Sequence, residues 1–166
     1  MIFNPDEQTS RTRVTAAYRT AMIVALALTA SIVLSIVIGL IILSSRSGVS
    51  REELLIPFYS GAAVFAIGSL AFRRIQMQGA RLESVAARRG VTGLIGHLVT
   101  TTLISGVLAE VVGLLGLMLS LLSGDLTHVI RLGVVALAVS VYNLPRLRPW
   151  QQAVDYFERS ATAVVE

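Results

Sequence analysis

Residues 20–43, TAMIVALALTASIVLSIVIGLIIL, carry no charged side chain. At 1.5 Å per residue a helix of this length reaches about 36 Å, enough to cross a hydrocarbon core of about 30 Å. The run is longer than the apolar region of a signal peptide, about 7–15 residues. The ALA triplet at 25–27 lies inside it, so the segment reads as an uncleaved membrane span. The rest of the chain repeats the theme. Of its 166 residues, 54% are hydrophobic and only 14% are charged. Soluble domains average about 25% charged, and a soluble core of this size has no room for the surplus apolar surface.

Four spans are expected, at about 20–43, 54–72, 91–122 and 126–144, forming a transmembrane domain over 20–144. The fold class is therefore all-α. Residues 1–19 form a polar N-terminal tail with Tyr18 near the interface, and 145–166 a C-terminal tail with Trp150, Tyr156 and Phe157, suited to an interfacial helix. Ser50 and Glu53 have capping-box spacing ahead of the second span, and Pro57 falls in its first turn, where a missing N–H costs little. The third run is too long for the hydrocarbon. Its thirty-two residues would measure about 48 Å, so its first turns are expected in the headgroup region or the cytoplasm. The first span is expected to be a plain lipid-facing helix. The second, rich in Gly and Ala, and the third are expected to form a close-packed hairpin.

The charges orient the chain. All fourteen basic residues are Arg. Three lie before the first span, five in 73–90 (Arg73, Arg74, Arg81, Arg88, Arg89) and three in the C-terminal tail, whereas Arg46, Arg51 and Arg131 lie on the other side. Positively charged loops stay cytoplasmic, so both termini are expected inside, in a multi-pass protein of a bacterial inner (cytoplasmic) membrane. The same arginines suit anionic lipid headgroups or an acidic partner surface. Nucleic-acid binding is not expected, because the charges sit between apolar spans.

Glu110 is the one residue that membrane energetics singles out. It lies twelve residues before Leu122, about 18 Å along a helix and so near the midplane. A charged carboxylate there costs at least about 3 kcal/mol; it must be neutral, paired, or turned to protein or water. Gly106, Ala109, Gly113, Gly116 and Ser120 recur at spacings of 3, 4, 3 and 4, a small-residue stripe that allows a second backbone to approach. Gly106 and Gly113 stand four before and three after Glu110, on its own face.

These residues carry a resemblance. The segment A-E-V-V-G-L-L-G-L-M-L-S-L, with Glu110 followed by Gly116-Leu117, resembles the outer helix of the c subunit (proteolipid) of rotary ATP synthases. That helix has a midmembrane carboxylate and a Gly-Leu pair six residues later. Arg88-Arg89 precede Glu110 as the family's basic loop precedes its carboxylate. The resemblance covers residues 54–122, more loosely over 54–87. The second span lacks the family's glycine ladder, the loop lacks its Arg-Gln-Pro, and two further helices bracket the hairpin. The resemblance implies that Glu110 carries a proton or Na⁺ in a rotor ring. The alternative is that Glu110 bonds to a neighbouring helix and serves packing.

Other groups are weaker signals. Asp125, His128 and Arg131 fall at i, i+3 and i+6 at the start of the fourth span, which suits a local charge cluster at the outer interface, with proton entry as the sharper reading. His97 and Glu110 are thirteen residues and so about 140° apart on a helix, which argues against a shared metal ion. Gly90, Gly93 and Gly96 follow no strand and match no phosphate loop. With no Cys, no paired carboxylates and no Ser-His-Asp order, an enzyme site, a metal site and a cofactor are not expected. The readings left are a non-catalytic accessory subunit partnered by membrane lipids and by other subunits or copies of itself, a proton or Na⁺ conductor, and a standalone lipid-associated protein.

Overall fold

A computed structural model describes the backbone of residues 5–44 and 52–163, and the side chains of 12–44 and 53–157. Five helices account for nearly all of it: α1 Pro5–Leu43, α2 Leu55–Gln76, α3 Gly79–Ser123, α4 Leu126–Tyr142 and α5 Leu147–Ala163. A short 3-10 turn, Glu52–Leu54, leads into α2. Four of the segments are long and apolar enough to cross a membrane. The Ser50–Glu53 capping pair, Arg46 and Arg51 fall wholly or partly outside the described residues.

α3 is the axis of the bundle. It packs against α1, α2, α4 and α5, while α1 lies over the α3–α4 pair and α2 lies mainly on α3. One core is aliphatic and sits among the spans: Ile32 of α1, Ala62 and Ala66 of α2, Ala109 and Val112 of α3, and Leu132 and Ala136 of α4. A second core sits at the end where the two termini meet. There Val14 and Ala21 of α1, Leu94 and Leu98 of α3, and Trp150 and Val154 of α5 close on one another. Tyr18 meets Trp150 edge to face at 5.9 Å.

Two boundaries differ from the expectations. Residues 5–19, read from the sequence as a polar tail, are helical and belong to α1, which runs for 39 residues, about 58 Å. Val14, Ala17, Tyr18 and Ala21 form a sparse apolar face that becomes stable only when α5 covers it. The third helix begins at Gly79 and bends at Gly90, whose φ of 63° and ψ of −170° are open to glycine and costly for other residues. Gly93 makes the same bend tight: a Cβ there would collide with the Arg89 side chain. The straight part of α3 thus starts where the apolar run starts.

α1 is also more than a lipid-facing span. Ile23, Val33, Leu34 and Ile41 face outward, but Val14, Ala21, Ala25, Ile32, Ser35 and Leu43 are buried along one stripe. The close approach is made by glycines of both partners. Gly39 of α1 faces Val129, Gly106 of α3 faces Leu28, and Gly133 of α4 faces Ile36. The second and third helices do pack together, yet the small-residue seam of α3 serves α1 and α4.

Candidate functional sites in the bundle

Glu110 points from α3 towards α1. The Ser31 hydroxyl donates to its Oε1 at 2.5 Å. The carboxyl is half-buried. Gly106 below it and Gly113 above it on the same face admit Leu28 and Ile32 of α1, which is what brings Ser31 within reach. A neighbouring tie joins α1 to α4: Thr29 and Ser140 share a hydroxyl–hydroxyl hydrogen bond of 2.7 Å. Ala109, Gly113, Gly116 and Ser120 are all buried. Gly116 lies so close to α4 that a Cβ would stand 2.7 Å from Leu132 Cβ and 3.4 Å from the His128 carbonyl oxygen.

Both ends of α4 are held by other helices. At its start, Asp125 caps the helix by accepting the Thr127 N–H at 2.8 Å, and Ser120 of α3 accepts the Val129 N–H at 2.6 Å. The Thr127 N–H is one of the first-turn donors that a helix leaves unpaired, and the Asp125 cap satisfies it. His128 is buried and its Nδ1 lies 3.0 Å from the Tyr59 hydroxyl of α2. Its Nε2 is 3.6 Å from Asp125 Oδ2. The structure therefore builds a Tyr59–His128–Asp125 row across α2 and α4. Arg131 sits on the exposed side of α4, near enough to act on Asp125 through its charge. The Thr127 backbone N–H holds the Asp125 carboxyl below its ordinary value, and Thr127's side chain, His128 and Arg131 act in the same direction.

At the other end, Arg73 of α2 reaches the C-terminus of α4. It donates to the carbonyl oxygens of Tyr142 (2.9 Å) and Leu144 (3.1 Å) and to Asn143 Oδ1 (3.3 Å). Asn143 in turn donates to Ser69 Oγ at 2.7 Å, and Ser69 donates to the Ser105 carbonyl at 2.9 Å. A cation at the carbonyl end of a helix is favourable both by dipole and by hydrogen bonding. Of the arginines read as contacts for lipid or partner, Arg73 thus spends its donors inside the protein. Arg81 bonds Gln76 Oε1 at 3.0 Å, and Arg74, Arg88 and Arg89 are exposed. His97 stands 3.3 Å from the Gln76 carbonyl, tying α3 to the end of α2. Among the described residues, no three His, Asp or Glu side chains gather as metal ligands do.

Ser31, Tyr59, Ser69 and Asn143 carry this network, and sequence reasoning did not assign them. Ser31 did leave a signal, since Thr29, Ser31 and Ser35 are hydroxyl residues in an otherwise aliphatic run. Tyr59 left none, because its partner is 69 residues away. No protein-family model, curated protein or solved structure matches this chain.

Proposed function

We propose that this chain is a non-catalytic, multi-pass membrane protein with both termini in the cytoplasm, acting as an accessory subunit of a larger membrane assembly. Insertion is supported by the exposed aliphatic side chains on all four long helices, among them Ile23, Ile41, Ile56, Val64, Ile67 and Val134. Water would not tolerate such a surface. The shared core of α1, α3 and α5 favours placing both termini on the side of the Arg-rich 73–90 segment.

The observation that carries the subunit reading is on α2. Gly61, Val64, Gly68, Ala71 and Ile75 fall at alternating spacings of 3 and 4. Val64, Gly68, Ala71 and Ile75 are exposed, and nothing lies within 4 Å of a Cβ built on Gly68. A smooth face of small residues in lipid is where another helix packs closely. Resolving native membrane complexes with and without the gene tests this. An unchanged complex pattern, with the protein migrating alone, overturns it. Orientation is tested separately, since the chain has no Cys. A membrane-impermeant maleimide on intact cells should label Thr127→Cys and spare Ser84→Cys until lysis; the reverse pattern overturns the orientation.

A second reading makes Glu110 a carrier of a proton or Na⁺, as its resemblance to the proteolipid carboxylate implies. It is favoured by the half-burial of the carboxyl and by its single described bond, through Oε1. A hydrophobic carbodiimide should then label Glu110, more slowly at high pH or with Na⁺. Ion flux retained in Glu110→Gln sinks it.

A further inference from the structure

α2 and α4 run in the same direction and touch each other little, because both lean on α3 between them. The gap is an open groove of about 530 Å³. Its α2 wall is Ile67, Leu70 and Ala71, with Arg74 at the cytoplasmic-side end; its α4 wall is Ala138, Val139 and Tyr142. Ile67 and Arg74 are seven residues apart, so the wall is about 10 Å long. Tyr142 also borders a second cavity, of about 410 Å³, which contains Arg73, Arg146 and Trp150. The Arg73 guanidinium lies 5.9 Å from the Tyr142 ring centre.

An apolar groove and a cavity bordered by arginines thus meet at a shared wall, Tyr142. Arg73 is committed to the end of α4, but Arg74 and Arg146 are exposed. Arg146 is close enough for its charge to act on Arg73. Among the described residues, no Asp or Glu lines either cavity. Arg73 and Arg74 are consecutive on α2 and Arg146 lies near Arg73; cations at the borders of two cavities with no acidic lining favour an anion, and a groove walled largely by aliphatic side chains favours a hydrocarbon chain. We infer that the α2–α4 groove and the Arg73–Arg74–Arg146 mouth bind one anionic phospholipid, its acyl chain in the groove and its phosphate at the arginines.

This goes beyond the accessory-subunit reading and needs only that the chain spans a membrane. Each arginine near an anionic headgroup contributes about a five-fold preference, so Arg74 and Arg146 together contribute about thirty-fold. The test is native mass spectrometry of the full chain, extracted from membranes in mild detergent and supplied with equal phosphatidylglycerol and phosphatidylcholine. One phosphatidylglycerol should be retained with a preference on that order. Arg74→Gln with Arg146→Gln should bring the preference close to one. Arg88→Gln with Arg89→Gln removes the same charge elsewhere and should leave it unchanged. Ala138→Phe fills the groove without altering charge and should release lipid of either headgroup. Equal retention of the two lipids by the wild type, equal loss in both double variants, or full retention in Ala138→Phe overturns the proposal. Displacement of the lipid by millimolar inorganic phosphate also overturns it, since a free anion would then be the ligand. Recovery of the chain in the soluble fraction overturns the membrane reading beneath it.

Discussion

Ser31 on α1 donates its hydroxyl hydrogen to Glu110 on α3, across 79 residues of sequence. A carboxyl near a bilayer midplane has to be neutral, paired, or turned to protein or water, and the fold offers Glu110 a partner from the helix that enters the notch between Gly106 and Gly113. Interhelical hydrogen bonds in membranes couple by about 0.6 kcal/mol on average and at most about 1.7 kcal/mol. A double-mutant cycle of Ser31→Ala and Glu110→Ala, followed by reversible unfolding in detergent, should return a coupling in that range. Strict additivity would show that the two side chains do not share a bond.

The glycines of one stripe should respond differently to alanine. At Gly116 a Cβ meets Leu132 Cβ at 2.7 Å and a backbone carbonyl at 3.4 Å, neither of which can swing away. At Gly106 it meets only the terminal methyl of Leu28, at 2.8 Å. Gly116→Ala is expected to cost about 1–3 kcal/mol as overpacking. Gly106→Ala should cost less, because a Leu rotamer change relieves it and helix propensity gains up to about 1 kcal/mol. Melting temperatures in one detergent compare the two directly.

Arg73 should resist replacement by lysine. Its guanidinium serves the Tyr142 and Leu144 carbonyls and the Asn143 side chain together, and a lysine ammonium lacks that planar fork. Arg73→Met leaves these acceptors without their charged donor, at about 1.5–3 kcal/mol for a charged hydrogen bond. Arg73→Lys should recover only part of it. Amide exchange at the end of α4 should accelerate in both variants, while the exchange of α1 stays near wild type.

The Asp125 cap gives a pH dependence with a definite sign. Its carboxyl is held below the ordinary aspartate value in the folded protein, first by the Thr127 N–H. A depressed folded value means that the stabilisation is complete above the unfolded aspartate value of about 3.9 and is lost as pH falls through the folded one. Asp125→Ala should cost about 1 kcal/mol at pH 6 as a lost cap. The stability gap between wild type and Asp125→Asn should narrow below about pH 4. A gap that stays constant from pH 6 to pH 3 would remove the charge from the account.

The four long apolar helices were legible in the residues, as was the requirement that Glu110 be neutral, paired, or turned to protein or water. The extension of α1 back to Pro5 was not. Its apolar residues 14, 17, 18 and 21 are too sparse to signal a helix until Trp150 and Val154 of α5 lie against them. Tyr59 carries no local sign of its role either, because its meaning depends on the rotation of α2 relative to α4.

Hydropathy is a property of each residue and survives any arrangement of the chain, so runs such as 20–43 and 126–144 announce themselves without a fold. Which side chain meets which is set by how each helix is turned about its axis. That turn is fixed by close approaches such as Gly116 to Leu132 and Gly133 to Ile36. Tertiary structure alone therefore chose Ser31 for Glu110, turned Arg73 inward onto α4, and left open between α2 and α4 a groove that neither helix encodes separately.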